Sequence, residues 1–328
     1  MMVDLSTSFA GLTLQSPLIL GSSGLTRNVD RTCALVEAGV GAVILKSLFE
    51  EQILMQTGHL VAKNDYPEAN DYISSYVRSE AIEDYIRIVR EAKAKLTVPV
   101  IASINCTEAG SWVEFAERLR DAGADALEVN VMRLEKELFA DPAEIEAYYV
   151  SIVTALAGKG LPIIVKLSRY HTNLPMLVDK LRAAGAAAVT LFNRSYQIDI
   201  DLNREQLIGG EVFSHEGDFT ETLRFTGVIR GCVPNVGISA STGIYTWEEL
   251  TKVLLAGADT AQMCTAVYKQ GATAIAEALK GLRHWMLEHG YQSLSELRGR
   301  LSYGAVADPS LFERIQFMKY FNARAAQD

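Results

Sequence analysis

The chain has 328 residues, 49% of them hydrophobic and 22% charged, with a formal net charge of -9. An acidic protein gains nothing from the counterion release that drives binding to polyanions, so the composition argues against a nucleic-acid partner and the charge reads as solubility. The four cysteines, Cys33, Cys106, Cys232 and Cys264, contain no CxxC pair; that argues against a disulfide framework or a zinc or iron–sulfur site and points to a reducing cytoplasm.

The N-terminal MMVDLSTSFAGL has no charged stretch followed by an apolar one, so no signal peptide is expected. The first strand is predicted in PLILGSS, from Pro17, and the second in EAGVGAVILKS (37–47). A helix follows over 79–95, with Ile82, Tyr85, Ile86 and Val89 at helical spacing. PVIASIN, from Pro99, supplies the third strand, DAGADALEVNV (121–131) the fourth, and PIIVKLS, from Pro162, the fifth. A helix at 174–184 leads to the sixth in AAGAAAVTLFN (183–193). NVGISAS (235–241) is the seventh, a helix covers 246–256, and LAGADTAQMCT (255–265) holds the eighth before a helix at 271–288. The longest apolar runs, such as 162–167, are strand-length, far short of the roughly 20 residues of a membrane span.

One unit therefore recurs: a helix ending in a small residue and Gly, then a short apolar strand. Gly suits the left-handed position that ends a helix. Strands without polar alternation suit a parallel sheet buried on both faces. Eight such units predict a single (β/α)8 TIM barrel forming one domain over 1–328, with an open doubly wound sheet as the alternative. No G-x-G-x-x-G follows the first strand. Segments 48–78 and 194–219 are too long for simple connections and leave C-terminal strand ends, so they are expected as active-site loops, with decoration or a dimer contact as the other reading.

Polar residues cluster where these strands end. They are Ser22 and Ser23, Lys46 and Ser47, Ser103 and Asn105, Asn130, Lys166 and Ser168, Asn193, then Ser239, Ser241, Thr242 and Gly243, and finally Cys264 and Thr265. Lys46 and Lys166 end otherwise apolar strands, and a buried ammonium is expensive without a partner. Two lysines and three asparagines on one rim suit an anionic or carbonyl-rich ligand. The turns SASTGIYTWEE and CTAVYKQG, after strands seven and eight, place small residues at helix starts, where backbone N–H groups favour phosphate.

These residues resemble the dihydroorotate dehydrogenases, nearest to the soluble class 1 type. The resemblance runs through LQSPLILGSSG, AVILKS, DALEVNV, PIIVKLS and VTLFN and is closest from ISASTGIYTWEEL to GYQSLSELRG. It implies an FMN-dependent oxidoreductase that converts dihydroorotate to orotate in pyrimidine biosynthesis. Ser23 and Gly24 would line the isoalloxazine, and Lys46 would lie near flavin and substrate. Lys166 would contact the flavin's pyrimidine edge, where a cation stabilises the reduced form. Gly243, Cys264 and Thr265 would bind the phosphate, with Ser47, Ser103, Ser241 and Thr242 as further cofactor-binding candidates. Asn130 and Asn193 would hold the substrate, beside Arg194. A homodimer is implied by resemblance only.

The chain departs from the family where the proton is taken. The class 1 pattern N-x-S-C-P-N places a cysteine base three residues after the Asn; here Asn130-Val131-Met132-Arg133-Leu134-Glu135 puts Arg133 there. Ile73–Glu80 lacks the family's N-x-M-G-L-x-N loop, Arg194 stands where a small polar residue is usual, and the Gly-rich loop before strand seven is reduced to SHEGDF. Arginine stays protonated and cannot readily act as a base. It can bind a carboxylate through a bidentate fork, so Lys46 and Arg133 are the catalytic candidates, with another carboxylate or a pyrimidine-like ring as alternative substrate. A flavin-binding protein without turnover and a flavin-free phosphate-binding isomerase or lyase are the competing readings. No metal-ligand spacing is found among the histidines.

Overall fold

A computed structural model of the chain describes residues 3–49, 67–105, 109–131, 137–194 and 197–313, side chains excepted at 67–78 and 109–111. A hairpin of β1 (Thr7–Phe9) and β2 (Leu12–Leu14) comes first. Then follow β3 (Leu18–Leu20), β4 (Ala42–Ile44), β5 (Leu48–Phe49), β6 (Val100–Asn105), β7 (Ala126–Asn130), β8 (Ile163–Leu167) and β9 (Ala186–Leu191). The hairpin β10 (Ile198–Asp201) and β11 (Gln206–Gly209) precedes β12 (Gly237–Ser241) and β13 (Thr260–Met263). All eight apolar runs form strands. Their neighbours in order are β3, β4, β6, β7, β8, β9, β12 and β13, every pair parallel; β13 pairs back with β3 and closes the barrel. The short β5 adds alongside the end of β6, with Leu48 opposite Ile104.

The helices are α1 (Val29–Val36), α2 (Pro67–Lys95), α3 (Ala109–Asp121), α4 (Pro142–Leu156), α5 (Leu174–Ala184), α6 (Phe219–Cys232), α7 (Trp247–Ala256), α8 (Thr265–Gln270) and α9 (Ala272–Glu288). The repeat's glycine acts as expected in α5. Gly185, at φ 114°, turns the chain and donates its N–H to Arg182 and Leu181 carbonyls, and β9 begins at the next residue. None of the described helices is long and apolar enough to cross a membrane.

Two connections differ from the loops expected at 48–78 and 194–219. The first becomes helical at Pro67, twelve residues before the expected start at 79 (79 − 67). Proline at a first helical position is a start rather than a break, since its missing N–H has no partner there anyway. The second contains the hairpin β10–β11.

Inside the barrel the strand period of two separates three levels. At the N-terminal end, Ile19, Ile44, Ile101, Ala126, Ile164 and Ala188 pack with Phe9 and Leu14 of the first hairpin, all 1% exposed or less. The hairpin therefore plugs the bottom of the barrel. Burying a side chain such as Ile101 is worth roughly 1.5–3 kcal/mol. Two residues further along five of these six strands the side chains turn polar: Lys46, Ser103, Glu128, Lys166 and Thr190. Two further still stand Asn105 and Asn130. An apolar floor thus carries a polar middle level, and that level supports a site at the C-terminal rim.

Candidate active site

The strand ends surround a cavity of about 390 Å³, within the size range of small-molecule sites. Ser22, Ser23 and Gly24 line it from the end of β3, Lys46 and Ser47 from β4, Asn105 from β6, Asn130 from β7 and Lys166 from β8. Asn193 and Arg194 follow β9; Ser241, Thr242 and Gly243 follow β12; Cys264 and Thr265 follow β13. The strand-end Ser168 and Ser239 do not line it, and of the candidates for cofactor and substrate among the described residues neither does Ser103. It is 0% exposed and lies beneath the cavity. Arg133, with Glu135, lies outside the described residues, as does Cys106.

Beneath the rim one buried network crosses the barrel. Ser22 Oγ lies 3.0 Å from Ser47 Oγ, which lies 2.6 Å from Ser103 Oγ. Ser103 Oγ donates to Glu128 Oε1 at 3.4 Å, and Lys166 Nζ lies 3.5 Å from the same oxygen. Thr190 Oγ1 and Gln262 Nε2 donate to Glu128 Oε2 at 3.0 and 3.1 Å. Tyr85 of α2 clasps Ser103, donating to its carbonyl at 3.0 Å and accepting from its N–H at 2.8 Å; burial pushes this phenol well above its usual range. The partner that buried Lys166 requires is therefore Glu128.

That carboxylate escaped the sequence reading, as did Thr190 and Gln262. The signal was a single acid within the apolar ALEVN, two residues before Asn130 and so on the same strand face. The cavity's apolar walls were also missed. Phe49 and Phe192 stand at the ends of strands, and Val212, Phe213 and Ser214 belong to the segment before α6. Ser214 fastens that segment down: its Oγ lies 3.0 Å from Thr265 Oγ1 and 3.1 Å from the Tyr245 hydroxyl. Phe213 packs on Tyr268, ring centroids 5.5 Å apart.

Among the described residues three cations line the cavity, Lys46, Lys166 and Arg194. Lys46 has no carboxylate within 4.0 Å among the described residues; its ammonium sits over the Phe49 ring, 4.4 Å from the centroid. Burial first, then the charges of Lys166 and Arg27, hold its pKa below the usual lysine range. Arg194 donates to the Val212 carbonyl, and its Nε lies 3.7 Å from Asp218. Asn193 Nδ2 donates to Asn130 Oδ1 at 2.8 Å, which ties the two amides together. Burial pushes the Cys264 thiol up, away from the reactive thiolate.

Two acceptors on the lining, Asn105 Oδ1 and Gln262 Oε1, are buried without a hydrogen-bond partner among the described residues. The orientation of Gln262 follows from its surroundings, because its nitrogen must face the Glu128 carboxylate. Cations beside unpaired amide oxygens call for a ligand edge that alternates carbonyl oxygens with N–H groups. An isoalloxazine pyrimidine edge has that pattern, so the residues present fit a flavin.

Of the two helix starts expected to favour phosphate, the one after strand seven is already satisfied. Thr246 caps α7, accepting from the Glu248 N–H at 3.2 Å, while Glu249 accepts from the Thr246 N–H at 2.9 Å. Two acids in that first turn repel an anion. The turn itself, Ser241 to Ile244, does line the cavity. Its backbone has positive φ at Thr242 (85°) and Gly243 (80°), and a Cβ on Gly243 would stand 2.5 Å from the Phe219 nitrogen.

Comparison with known proteins covers most of the chain. The family profile described as dihydroorotate dehydrogenase matches residues 4–286. A protein named putative dihydroorotate dehydrogenase A (fumarate), from Aeropyrum pernix, is 29% identical over 308 residues, covering 90% of this chain and 97% of its own. The PreA subunit of NAD-dependent dihydropyrimidine dehydrogenase from Escherichia coli K12 is 25% identical over 317 residues, covering 90% and 76%. The catalytic subunit of dihydroorotate dehydrogenase B (NAD(+)) from Thermoplasma acidophilum is 26% identical over 316 residues, covering 91% and 99%.

Proposed function

The chain belongs to the dihydroorotate dehydrogenase family, and from that premise we propose that it is an FMN-dependent oxidoreductase that removes two hydrogens from a CH–CH bond of a dihydroorotate-like substrate. The observation that carries this reading is the cavity floor, where Lys46, Lys166, Asn105 and Gln262 present cations and unpaired amide oxygens side by side. Bound there, FMN would supply the hydride acceptor.

The chain's own groups divide the work. Lys166 and Gln262 would hold the pyrimidine edge of the flavin, with Ser23 and Gly24 against the ring and Ser47 beside it. Ser241, Thr242, Gly243, Cys264 and Thr265 would seat the phosphate through backbone N–H groups and hydroxyls. Asn130 and Asn193, already bonded to each other, would fix the substrate ring as a rigid amide pair, and Arg194 and Arg133 would meet a substrate carboxylate. Lys46 would lie between flavin and substrate, where a depressed pKa makes proton exchange easier than at an ordinary lysine. Phe49, Phe192 and Phe213 would exclude water from the reacting bond.

Similarity to both dihydroorotate and dihydropyrimidine enzymes leaves the ring's substituent as the variable. The test is a visible spectrum of the purified protein, followed by anaerobic addition of dihydroorotate and, separately, dihydrouracil. A yellow protein bleached by dihydroorotate establishes the proposed activity. Bleaching by dihydrouracil alone moves the substrate to a ring without a carboxylate. A protein that stays colourless after incubation with FMN refutes the assignment. Size-exclusion chromatography with light scattering tests the homodimer proposed alongside it.

A further inference from the structure

Glu128 sits at the middle of β7, 0% exposed. A carboxylate there is costly unless both oxygens are satisfied. Its Oε1 faces Lys166 Nζ at 3.5 Å and Ser103 Oγ at 3.4 Å; its Oε2 faces Thr190 Oγ1 at 3.0 Å and Gln262 Nε2 at 3.1 Å. Of these four partners, Lys166 and Gln262 also line the cavity. One buried carboxylate thus grips two groups of the floor from below.

We propose that Glu128 is a positioning residue: it anchors the Lys166 ammonium at the cavity floor and, by taking the nitrogen of Gln262, turns that residue's oxygen toward the bound flavin. The inference rests on reading the cavity as an FMN site. Two facts favour this role over simple packing. First, a primary amide has no intrinsic preference for either orientation, and the acceptors on its inner side, Glu128 Oε2 and Thr190 Oγ1, at 3.1 Å each, draw the nitrogen inward; a carboxylate, which has no proton to donate, excludes the reverse orientation. Gln262 Oε1, left without a protein partner, is then an acceptor reserved for a ligand N–H. Second, Lys46 shares the cavity and repels Lys166, so the Lys166 ammonium needs a counter-charge to stay at the floor. Thr190, bonded to both Glu128 and Gln262 at 3.0 and 3.1 Å, braces the pair.

A double-mutant cycle on the full-length protein tests this. The variants are E128Q, K166M and the pair combined, with E128D as the conservative rescue. Each is titrated with FMN by fluorescence quenching, and the visible band of the bound flavin is recorded. Action through Lys166 predicts that E128Q and K166M each weaken FMN binding about tenfold, ~1.4 kcal/mol. The double variant should bind no more weakly than the worse single one, both single variants should shift the flavin band in the same sense, and E128D should recover most of the affinity.

Additive losses in the double variant, or an E128Q protein whose FMN affinity and spectrum match wild type while only its melting temperature falls, would overturn the proposal and leave a structural carboxylate. If wild type binds no FMN, the flavin reading itself fails. The anchoring of Lys166 is then decided in the flavin-free melts: a K166M protein restored by adding E128Q supports it, and one left equally unstable refutes it. Should E128Q fail to fold, E128M, which keeps the side chain's bulk without the buried charge, takes its place in the cycle.

Discussion

Gly243 offers a sharp test of how the cavity wall is built. Its φ is 80°, a conformation that costs an L side chain about 1–2 kcal/mol. A Cβ placed there would stand 2.5, 2.6 and 2.8 Å from the nitrogen, Cα and Cβ of Phe219. The first two are backbone atoms at the start of α6 and cannot swing aside. Comfortable carbon contacts need about 3.5 Å or more, so roughly 1 Å of overlap must be relieved by moving the turn or the helix. Overpacking of that kind costs about 1–3 kcal/mol. Together, Gly243→Ala should destabilise the protein by roughly 2–5 kcal/mol. For this longer chain of 328 residues the lower end of the size scale, about 2 °C per kcal/mol, gives a melting temperature lower by roughly 4–10 °C. The same displacement carries the Ser241–Ile244 turn, so FMN affinity should fall at least about tenfold. Gly24→Ala is the internal control, because its Cβ would meet only the hydroxyl of half-exposed Tyr268, at 2.6 Å. That ring can rotate away, and the melt should stay within about 1 kcal/mol of wild type. Thermal unfolding of both variants and FMN titration of Gly243→Ala decide the matter. A Gly243→Ala protein that melts and binds like wild type would refute the close approach of turn and helix.

Other outcomes follow from the same geometry. Thr190→Val keeps the side chain's shape but removes a charge-assisted hydrogen bond to Glu128, so a loss of about 1.5–3 kcal/mol is expected in denaturant unfolding; a change below about 0.5 kcal/mol would mean that the carboxylate does not depend on it. Lys46→Met removes a half-buried charge whose folded pKa lies below its unfolded value. The folded protein then binds fewer protons than the unfolded one as pH rises from the folded value toward 10.5, so wild type gains stability over that window. The methionine variant should accordingly be the more stable at pH 7, with its advantage shrinking toward alkaline pH while flavin reduction is lost; a pH-independent difference would contradict this. Arg133→Ala should raise the KM for dihydroorotate at least about tenfold with kcat little changed, as removal of a carboxylate clamp requires. An unaltered KM would place Arg133 outside substrate binding.

Much of this protein could be read along the chain because its signals are local. A Gly at the end of a helix, followed by an apolar run with no polar alternation, specifies a helix end and a strand buried on both faces wherever it occurs. Eight repetitions leave few architectures besides a barrel. The polar residue ending each strand is equally local, which is why Lys46, Asn130, Lys166, Asn193 and Cys264 could be placed at one rim before any fold was known. What tertiary structure alone decided is what lies beneath that rim. Glu128 meets Thr190 and Gln262 across 62 and 134 positions of sequence, and no periodicity connects residues so far apart. Closure of the barrel brings their strands to one interior level, and the cost of burying a charge then forces them to satisfy one another. The satisfied N-terminus of α7, the Ser214 fastening and the Phe213 wall depend in the same way on packing between distant elements.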